Sequence, residues 1–234
     1  MTTPSRPASG PEPDSHADSA LGRAAHRLLF TVVSRCPPRL RDAALRRIFD
    51  STHNSGEDPW SVDSDPYEVF KRQQLVDAVP ESADVVLELG CSIGANLRDL
   101  AVARADATIV GCDVSPRAID TARRITDGLA NVRLSVTPAA TDIPGTVPSG
   151  MDVLVLSEVL YYMGGASGIE RTLGPVSASL HDGGTVVMVH SADDAPALHD
   201  TAVRVLGLQV DETGWRSPPG DARSFLLTRA HRPR

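Results

Sequence analysis

The sequence predicts a doubly wound, mostly parallel seven-stranded α/β sheet preceded by helices, and three observations carry that expectation. From about Asp84 onward, short apolar runs alternate with helical patterns, the signature of parallel strands joined by helical crossovers. The run Val85-Val86-Leu87-Glu88-Leu89 leads straight into a turn bounded by Gly90 and Gly94. The 234 residues, 41% of them hydrophobic, suffice for one well-buried domain with an accessory segment and are too few for two full domains.

Residues 1–20 combine four prolines with small and acidic residues and offer almost nothing to bury, so a disordered tail is expected. Leu21–Cys36 and Arg39–Phe49 carry apolar residues at helical spacing, separated by Pro37-Pro38, which breaks a helix. A turn-rich stretch, Ser51–Pro66, leads to a third helical pattern, Tyr67–Val79, stopped by Pro80. Residues 21–83 therefore form an N-terminal helical accessory segment, and 84–234 form the main domain. Its strands are expected at Asp84–Leu89, Thr108–Asp113, Val132–Val136, Met151–Ser157 and Thr185–His190, with helices at Asn96–Arg104, Arg117–Leu129 and Ile169–Leu180. A helix at Pro196–Leu206 then precedes two strand-like runs, Gly207–Asp211 and Ser224–Thr228, which bracket the loop Glu212–Arg223 and read as an edge hairpin.

The formal charge is −7, from 23 Lys and Arg against 30 Asp and Glu, which leaves no electrostatic footprint for nucleic acid or an anionic membrane. Residues 21–49 run against that balance with seven arginines and one aspartate, Asp42, a pattern that usually marks a solvated helix face. Three cysteines, Cys36, Cys91 and Cys112, have neither paired nor metal-ligand spacing, so no disulfide and no metal site are expected. No apolar run reaches the roughly 18–20 residues that span a bilayer, and the start lacks the order of a signal peptide. A cytoplasmic protein with a small-molecule partner is expected; its oligomeric state is not legible.

The turn after the first strand carries the chemistry. Glycines at Gly90 and Gly94 let a ligand approach the backbone, and the helix opening at about Ala95 supplies free amide donors. Twenty-three residues after Gly90, the second strand ends in Asp113, where a carboxylate accepts hydrogen bonds from ribose hydroxyls. A nucleoside-binding edge follows. Dinucleotide sites favour Gly-x-Gly-x-x-Gly, whereas the order here is Glu88-x-Gly90-x-Ser92-x-Gly94, which argues against a nicotinamide-dependent oxidoreductase.

That order resembles motif I of the class I S-adenosylmethionine-dependent methyltransferases, with Ser92 in place of the usual middle glycine. The remaining landmarks follow in order: Asp113, the loop Thr141-Asp142-Ile143-Pro144, the strand and doublet Met151–Tyr162, and the turn Leu180-His181-Asp182-Gly183-Gly184. The family often has an acid near Ala139 for the adenine amino group; Pro138-Ala139-Ala140 is apolar, so Asp142 or the backbone takes that contact. Two segments, Asp58-Pro59-Trp60-Ser61-Val62-Asp63-Ser64-Asp65-Pro66-Tyr67-Glu68 and Ser157-Glu158-Val159-Leu160-Tyr161-Tyr162, resemble the NodS-like methyltransferases, whose namesake N-methylates a free amino group on a chito-oligosaccharide. The resemblance runs from about Asp58 to Thr228. It implies a Rossmann-like methyltransferase fold and S-adenosyl-L-methionine held by Glu88, Gly90, Ser92, Gly94, Asp113, Asp142 and Ser157. Trp60 is expected either to close over the cofactor or to staple the N-terminal segment to the core. The family's Arg falls at Lys71, beside Arg72, and implies contact with the cofactor carboxylate.

Methyl transfer from a sulfonium is an in-line displacement that gains most from holding its partners at near-attack distance, with a proton acceptor where the acceptor needs one. Glu158, Tyr161 and His190 stand at the carboxyl ends of strands four and five, where open α/β sheets bind ligands, and are the candidate catalytic residues. Each has a plainer alternative: Glu158 as a helix cap, the Tyr161-Tyr162 doublet as packing, His190 as a hydrogen-bonded scaffold residue. Cys91 reads as a small side chain that fits its turn. The expected reaction is N-methylation of a small-molecule amine, with O-methylation of a natural-product hydroxyl and non-catalytic partner docking through the Arg-rich helices as the alternatives.

Overall fold

The computed structural model describes residues 38–54, 58, 61–137, 145 and 150–234. The expected tail at 1–20, the expected helix Leu21–Cys36, Trp60, and the 141–144 loop with Asp142 lie outside the described residues. Two helices precede the sheet, α1 (Pro38–Asn54) and α2 (Pro66–Ala78). The start of α2 follows from its residues: Asp65 accepts a hydrogen bond from the Tyr67 amide, and Pro66, having no N–H, needs no acceptor, so two of the orphan positions of a first turn are dealt with.

The sheet then assembles as β1 (Val85–Leu89), β2 (Thr108–Asp113), β3 (Val132–Val136), β4 (Met151–Ser157), β5 (Leu180–His190), β6 (Gln209–Arg216) and β7 (Phe225–His231). Its crossovers are α3 (Ala95–Ala103), α4 (Pro116–Ile125), α5 (Gly165–Ser177) and α6 (Ala195–Leu206), with a single 3₁₀ turn at Leu160–Met163. The order is β3-β2-β1-β4-β5-β7-β6, parallel except for β7, which runs antiparallel to both β5 and β6. Alternate residues of each strand feed two cores. Leu87, Leu154, Val186 and Met188 pack with α5 and α6 on one face; Val86, Val153, Val187 and Leu227 pack with α2, α3 and α4 on the other. The order reverses between β1 and β4, so the loops after β1, β2, β4 and β5 converge on one crevice, where such sheets bind ligands.

Several boundaries differ from expectation, among them the end of α1 at Asn54 instead of Phe49, the end of α4 at Ile125 instead of Leu129, the start of α5 at Gly165 instead of Ile169 and the end of β7 at His231 instead of Thr228. β5 begins at Leu180, because Met151 pairs with Leu180 across a bulge and the amides of Gly183 and Arg232 exchange bonds with Arg232 and Gly184. Consequently α5 ends at Ser177 instead of Leu180. β6 runs to Arg216, absorbing five residues expected to be loop; it is the outer strand of the sheet, and its Asp211, Glu212 and Thr213 face water. Among the described residues no helix is long and apolar enough to cross a membrane, and no His, Cys, Asp and Glu cluster could hold a metal ion.

Candidate functional site

The turn after β1 is built around close approach. Gly90, Ser92 and Gly94 all have positive φ, at 78°, 48° and 82°. A β-carbon at Gly90 would meet Val159 at 2.8 Å, and one at Gly94 would meet Ala122 at 2.9 Å. The Gly90 and Cys91 amides both donate to the Cys112 carbonyl, at 2.8 and 3.1 Å, which ties the turn to the end of β2. There Asp113 accepts from the Ser92 amide at 3.0 Å and the Ser115 amide at 2.9 Å. Burial raises the Asp113 pKa against the pull of those amides.

Glu88 is the other acid of this edge and is 1% exposed. Its Oε1 accepts from Asn96 Nδ2 at 2.6 Å, while Oε2 is buried without a hydrogen-bond partner, as is the Ser92 hydroxyl. Burial pushes the Glu88 carboxyl up to about 7, with Asn96 lowering it and Asp113 adding to the rise. An unpartnered buried oxygen of this kind is costly, and it fits a ligand that brings a donor or a positive charge. A nucleoside carrying an amino group suits the set: Glu88 Oε2 toward the amine, Asp113 toward ribose hydroxyls, the glycine turn against the chain between them.

The second half of the crevice lies beyond β4. Glu158 follows Ser157, the last residue of β4, and has a φ of 52°. Its Oε1 accepts from Lys71 Nζ at 2.7 Å and from Ser191 Oγ at 2.5 Å; its Oε2 accepts from the Tyr161 hydroxyl in a short hydrogen bond and from the Ser191 amide at 3.3 Å. Burial would raise this carboxyl, yet the Lys71 ammonium and these donors bring it down to about 2. Lys71 is held by Glu68 as well, at 2.8 Å, and its pKa is raised because two carboxylates outweigh its desolvation. Tyr161, pressed edge-on against Tyr162 and His190, has its phenol pKa raised well above 10, by burial first and then by Glu158.

His190 is fully buried. Its Nε2 lies 3.2 and 3.1 Å from the amides of Val159 and Leu160, and its Nδ1 lies 2.9 Å from His199 Nε2. Burial lowers its pKa to about 4. The proton-accepting role expected of His190 does not fit these surroundings, because both ring nitrogens are taken and neither meets the crevice. The plainer reading, a scaffold histidine, describes it. Lys71 also departs from expectation: its ammonium serves Glu68 and Glu158, and neighbouring Arg72 serves Asp99 and the Val62 carbonyl, each at 2.5 Å, so both cations are already engaged.

Several residues of the site escaped the sequence reading. Tyr67 bonds Ser191 Oγ at 3.0 Å beneath the Arg223 guanidinium, 4.4 Å from its ring centroid, and Arg223 grips Asp65 with both amino groups at 2.5 and 2.9 Å. Asp58 accepts from the Val62 and Asp63 amides, and Asp63 pairs with Arg98 in two bonds. The acidic residues of the Asp58–Asp65 segment thus clamp α2 to α3 and to the start of β7. Repeated Asp in a turn was the available signal; their arginine partners, 35 and 158 residues away, carried none. On α1, Asp50 accepts from Ser115 Oγ at 2.6 Å and Phe49 meets Tyr162 edge-on at 5.0 Å, so this helix bridges the two halves of the crevice.

With the geometry in view, comparison with known proteins places the chain. Residues 87–186 match a methyltransferase domain family, and solved methyltransferases share the fold. The chain is also similar to the NodS-like proteins. Nodulation protein S of Rhizobium tropici is 29% identical over 142 residues, 59% of this chain and 57% of that protein, so the match spans little more than half of the curated relative's length. The N-methyltransferase NodS from Bradyrhizobium japonicum WM9, solved in complex with S-adenosyl-L-homocysteine, shares the fold at a TM-score of 0.68 and 23% identity, over 81% of this chain and 98% of that one. The magnesium protoporphyrin IX methyltransferase of Synechocystis PCC 6803, solved with bound SAM, aligns at a TM-score of 0.62 and 16% identity, over 85% and 99%.

Proposed function

We propose that this chain is an S-adenosylmethionine-dependent methyltransferase that methylates an amine of a small molecule, an amino sugar being the substrate class that the NodS likeness favours. The observation that carries the amine over a hydroxyl is the state of the three candidate catalytic residues. His190 has both nitrogens occupied and a pKa near 4, Glu158 accepts four hydrogen bonds and sits near 2, and Tyr161 spends its proton on Glu158. A hydroxyl acceptor needs a base in the transition state, whereas a neutral amine attacks with its own lone pair.

Bound S-adenosylmethionine supplies an electrophilic methyl group on a sulfonium. Glu88, Gly90, Ser92, Gly94 and Asp113 hold its amino-acid end and ribose, with Ser157 at the edge of the same crevice; Asp142 and Trp60 remain proposed contacts. The ionised Glu158, anchored by Lys71, Ser191 and Tyr161, keeps the acceptor side rigid, so catalysis rests on orienting the amine in line with the methyl carbon. In domain terms, residues 84–234 are proposed as the cofactor-binding unit and 21–83 as an accessory segment. The net charge of −7 favours a small-molecule acceptor in the cytoplasm over nucleic acid.

Calorimetric titration with S-adenosylhomocysteine, repeated on Asp113→Ala, tests the cofactor: the substitution should weaken binding about tenfold or more, about 1.4 kcal/mol. Incubation with S-adenosylmethionine and D-glucosamine, beside its N-acetylated form, tests the acceptor. Methylation confined to the free amine supports the reading. Methylation of the N-acetylated sugar on oxygen overturns it, and no binding of S-adenosylhomocysteine overturns the methyltransferase itself.

A further inference from the structure

A row of polar side chains, buried except at its outer end, runs from behind the Val159–Leu160 backbone along one face of the sheet to its edge. His190 on β5 meets His199 on α6, Nδ1 to Nε2, at 2.9 Å; His199 Nδ1 meets Thr228 Oγ1 on β7 at 2.8 Å; and Thr228 meets Thr213 Oγ1 on β6 at 2.8 Å. His190, His199 and Thr228 are 0%, 2% and 2% exposed. The methyltransfer chemistry proposed above makes no use of this row.

Its direction is fixed at one end. Backbone amides can only donate, and those of Val159 and Leu160 both point at His190 Nε2, so that nitrogen must carry a lone pair. A neutral His190 then bears its proton on Nδ1 and donates to His199 Nε2. His199 in turn must be protonated on Nδ1 and donate to Thr228, which shares a hydrogen bond with the Thr213 hydroxyl. Burial holds both imidazoles neutral, lowering the pKa of each. The opposite order would set an N–H of His190 against two backbone N–H groups in a buried site, an arrangement with no acceptor at all.

The amides caught by His190 belong to the residues directly after Glu158, whose φ of 52° lies where a side chain bearing a β-carbon is strained. We propose that His199 and Thr228 are positioning residues: by fixing the tautomer of His190 they hold the Val159 and Leu160 amides, and through them keep Glu158 turned into its cluster with Lys71, Ser191 and Tyr161. The link to turnover rests on the amine-methyltransferase reading; the tautomer does not.

The test uses the full chain labelled with ¹⁵N and three variants. Long-range proton–nitrogen correlation should show His190 protonated on Nδ1 in the wild type. Thr228→Val keeps the shape and removes the acceptor; His199 then loses its fixed tautomer, the His190 pattern changes, and the Val159 and Leu160 amides lose hydrogen-exchange protection. Thr228→Ser should restore both, and His199→Gln, which offers an acceptor and a donor of its own, should retain the protection. Turnover with D-glucosamine should fall about tenfold in Thr228→Val through kcat, with S-adenosylhomocysteine affinity unchanged, and recover in Thr228→Ser, since misplacement costs orientation rather than binding. A wild-type His190 protonated on Nε2 overturns the proposal, as does a Thr228→Val protein that keeps both tautomer and protection. If the wild type leaves D-glucosamine unmethylated, the acceptor assignment fails while the tautomer measurement still decides this one.

Discussion

Ser92 places a β-carbon at a φ of 48°, and its hydroxyl is buried without a partner. The left-handed region costs an L-residue about 1–2 kcal/mol that glycine avoids. In the absence of ligand Ser92→Gly should therefore stabilise the protein by about 1 kcal/mol, raising the melting temperature by about 2–4 °C for a chain of this size; a lower melting temperature would mean that the hydroxyl already has a use in the free protein. Glu88, Gly90, Gly94 and Asp113 were readable in the sequence because their roles follow from position on a strand end or a tight turn, and local sequence encodes both. The states of Glu158 and His190 were not readable. Whether a carboxylate is a base or a saturated anchor depends on Lys71 and Ser191, 87 and 33 residues away in the chain, and no spacing rule predicts that meeting.

The same division holds for the elements. Interior strands β1, β2 and β4 fell within a residue of expectation because burial on both faces makes them continuous apolar runs; β3, at the edge and only partly buried, was found through its alternation of Val, Leu and Val with polar residues. The exposed strand β6 did not, since Asp211-Glu212-Thr213-Gly214 has the composition of a turn and is kept extended only by its pairing with β7. Helix α2 shows how much of an element can hang on one side chain: Asp65 both caps the Tyr67 amide and receives the two-pronged Arg223. Asp65→Asn keeps the capping oxygen and should cost under about 1 kcal/mol, the scale of a partly exposed ion pair. Asp65→Ala loses the cap too and should cost about 1–2 kcal/mol more. Urea denaturation of the two variants separates these contributions, and equal losses would show that the cap contributes nothing.

Across the molecule, carboxyl groups of opposite tendency shape the dependence of stability on pH. Glu158 is held near 2, below its ordinary 4.5, and Asp63, Asp65 and Asp221 are lowered by Arg98 and Arg223. The stability these groups contribute is present above the unfolded pKa and is lost as pH falls through the folded one. Glu88 behaves in the opposite sense, because burial raises it from 4.5 to about 7, and Asp113 is raised with it. Their contribution is intact at pH values below the unfolded pKa and is lost as pH rises through the folded value, when bare charge must be accommodated in the empty crevice. Buried His190 and His199 act against this, because their lowered pKa values make stability rise with pH from the folded toward the unfolded value. The Glu88 contribution is therefore read as a difference: relative to Glu88→Gln, the ligand-free protein should lose stability between pH 4.5 and about 7. S-adenosylhomocysteine, whose amino group and ribose would meet Glu88 and Asp113, should raise the neutral limb more than the acid one. Thermal melts across this range with and without the ligand check both statements. A difference between wild type and Glu88→Gln that stays constant from pH 4.5 to about 7 would show that Glu88 is already ionised and partnered in the crevice, and the argument that its free oxygen awaits an amino group would fall with it.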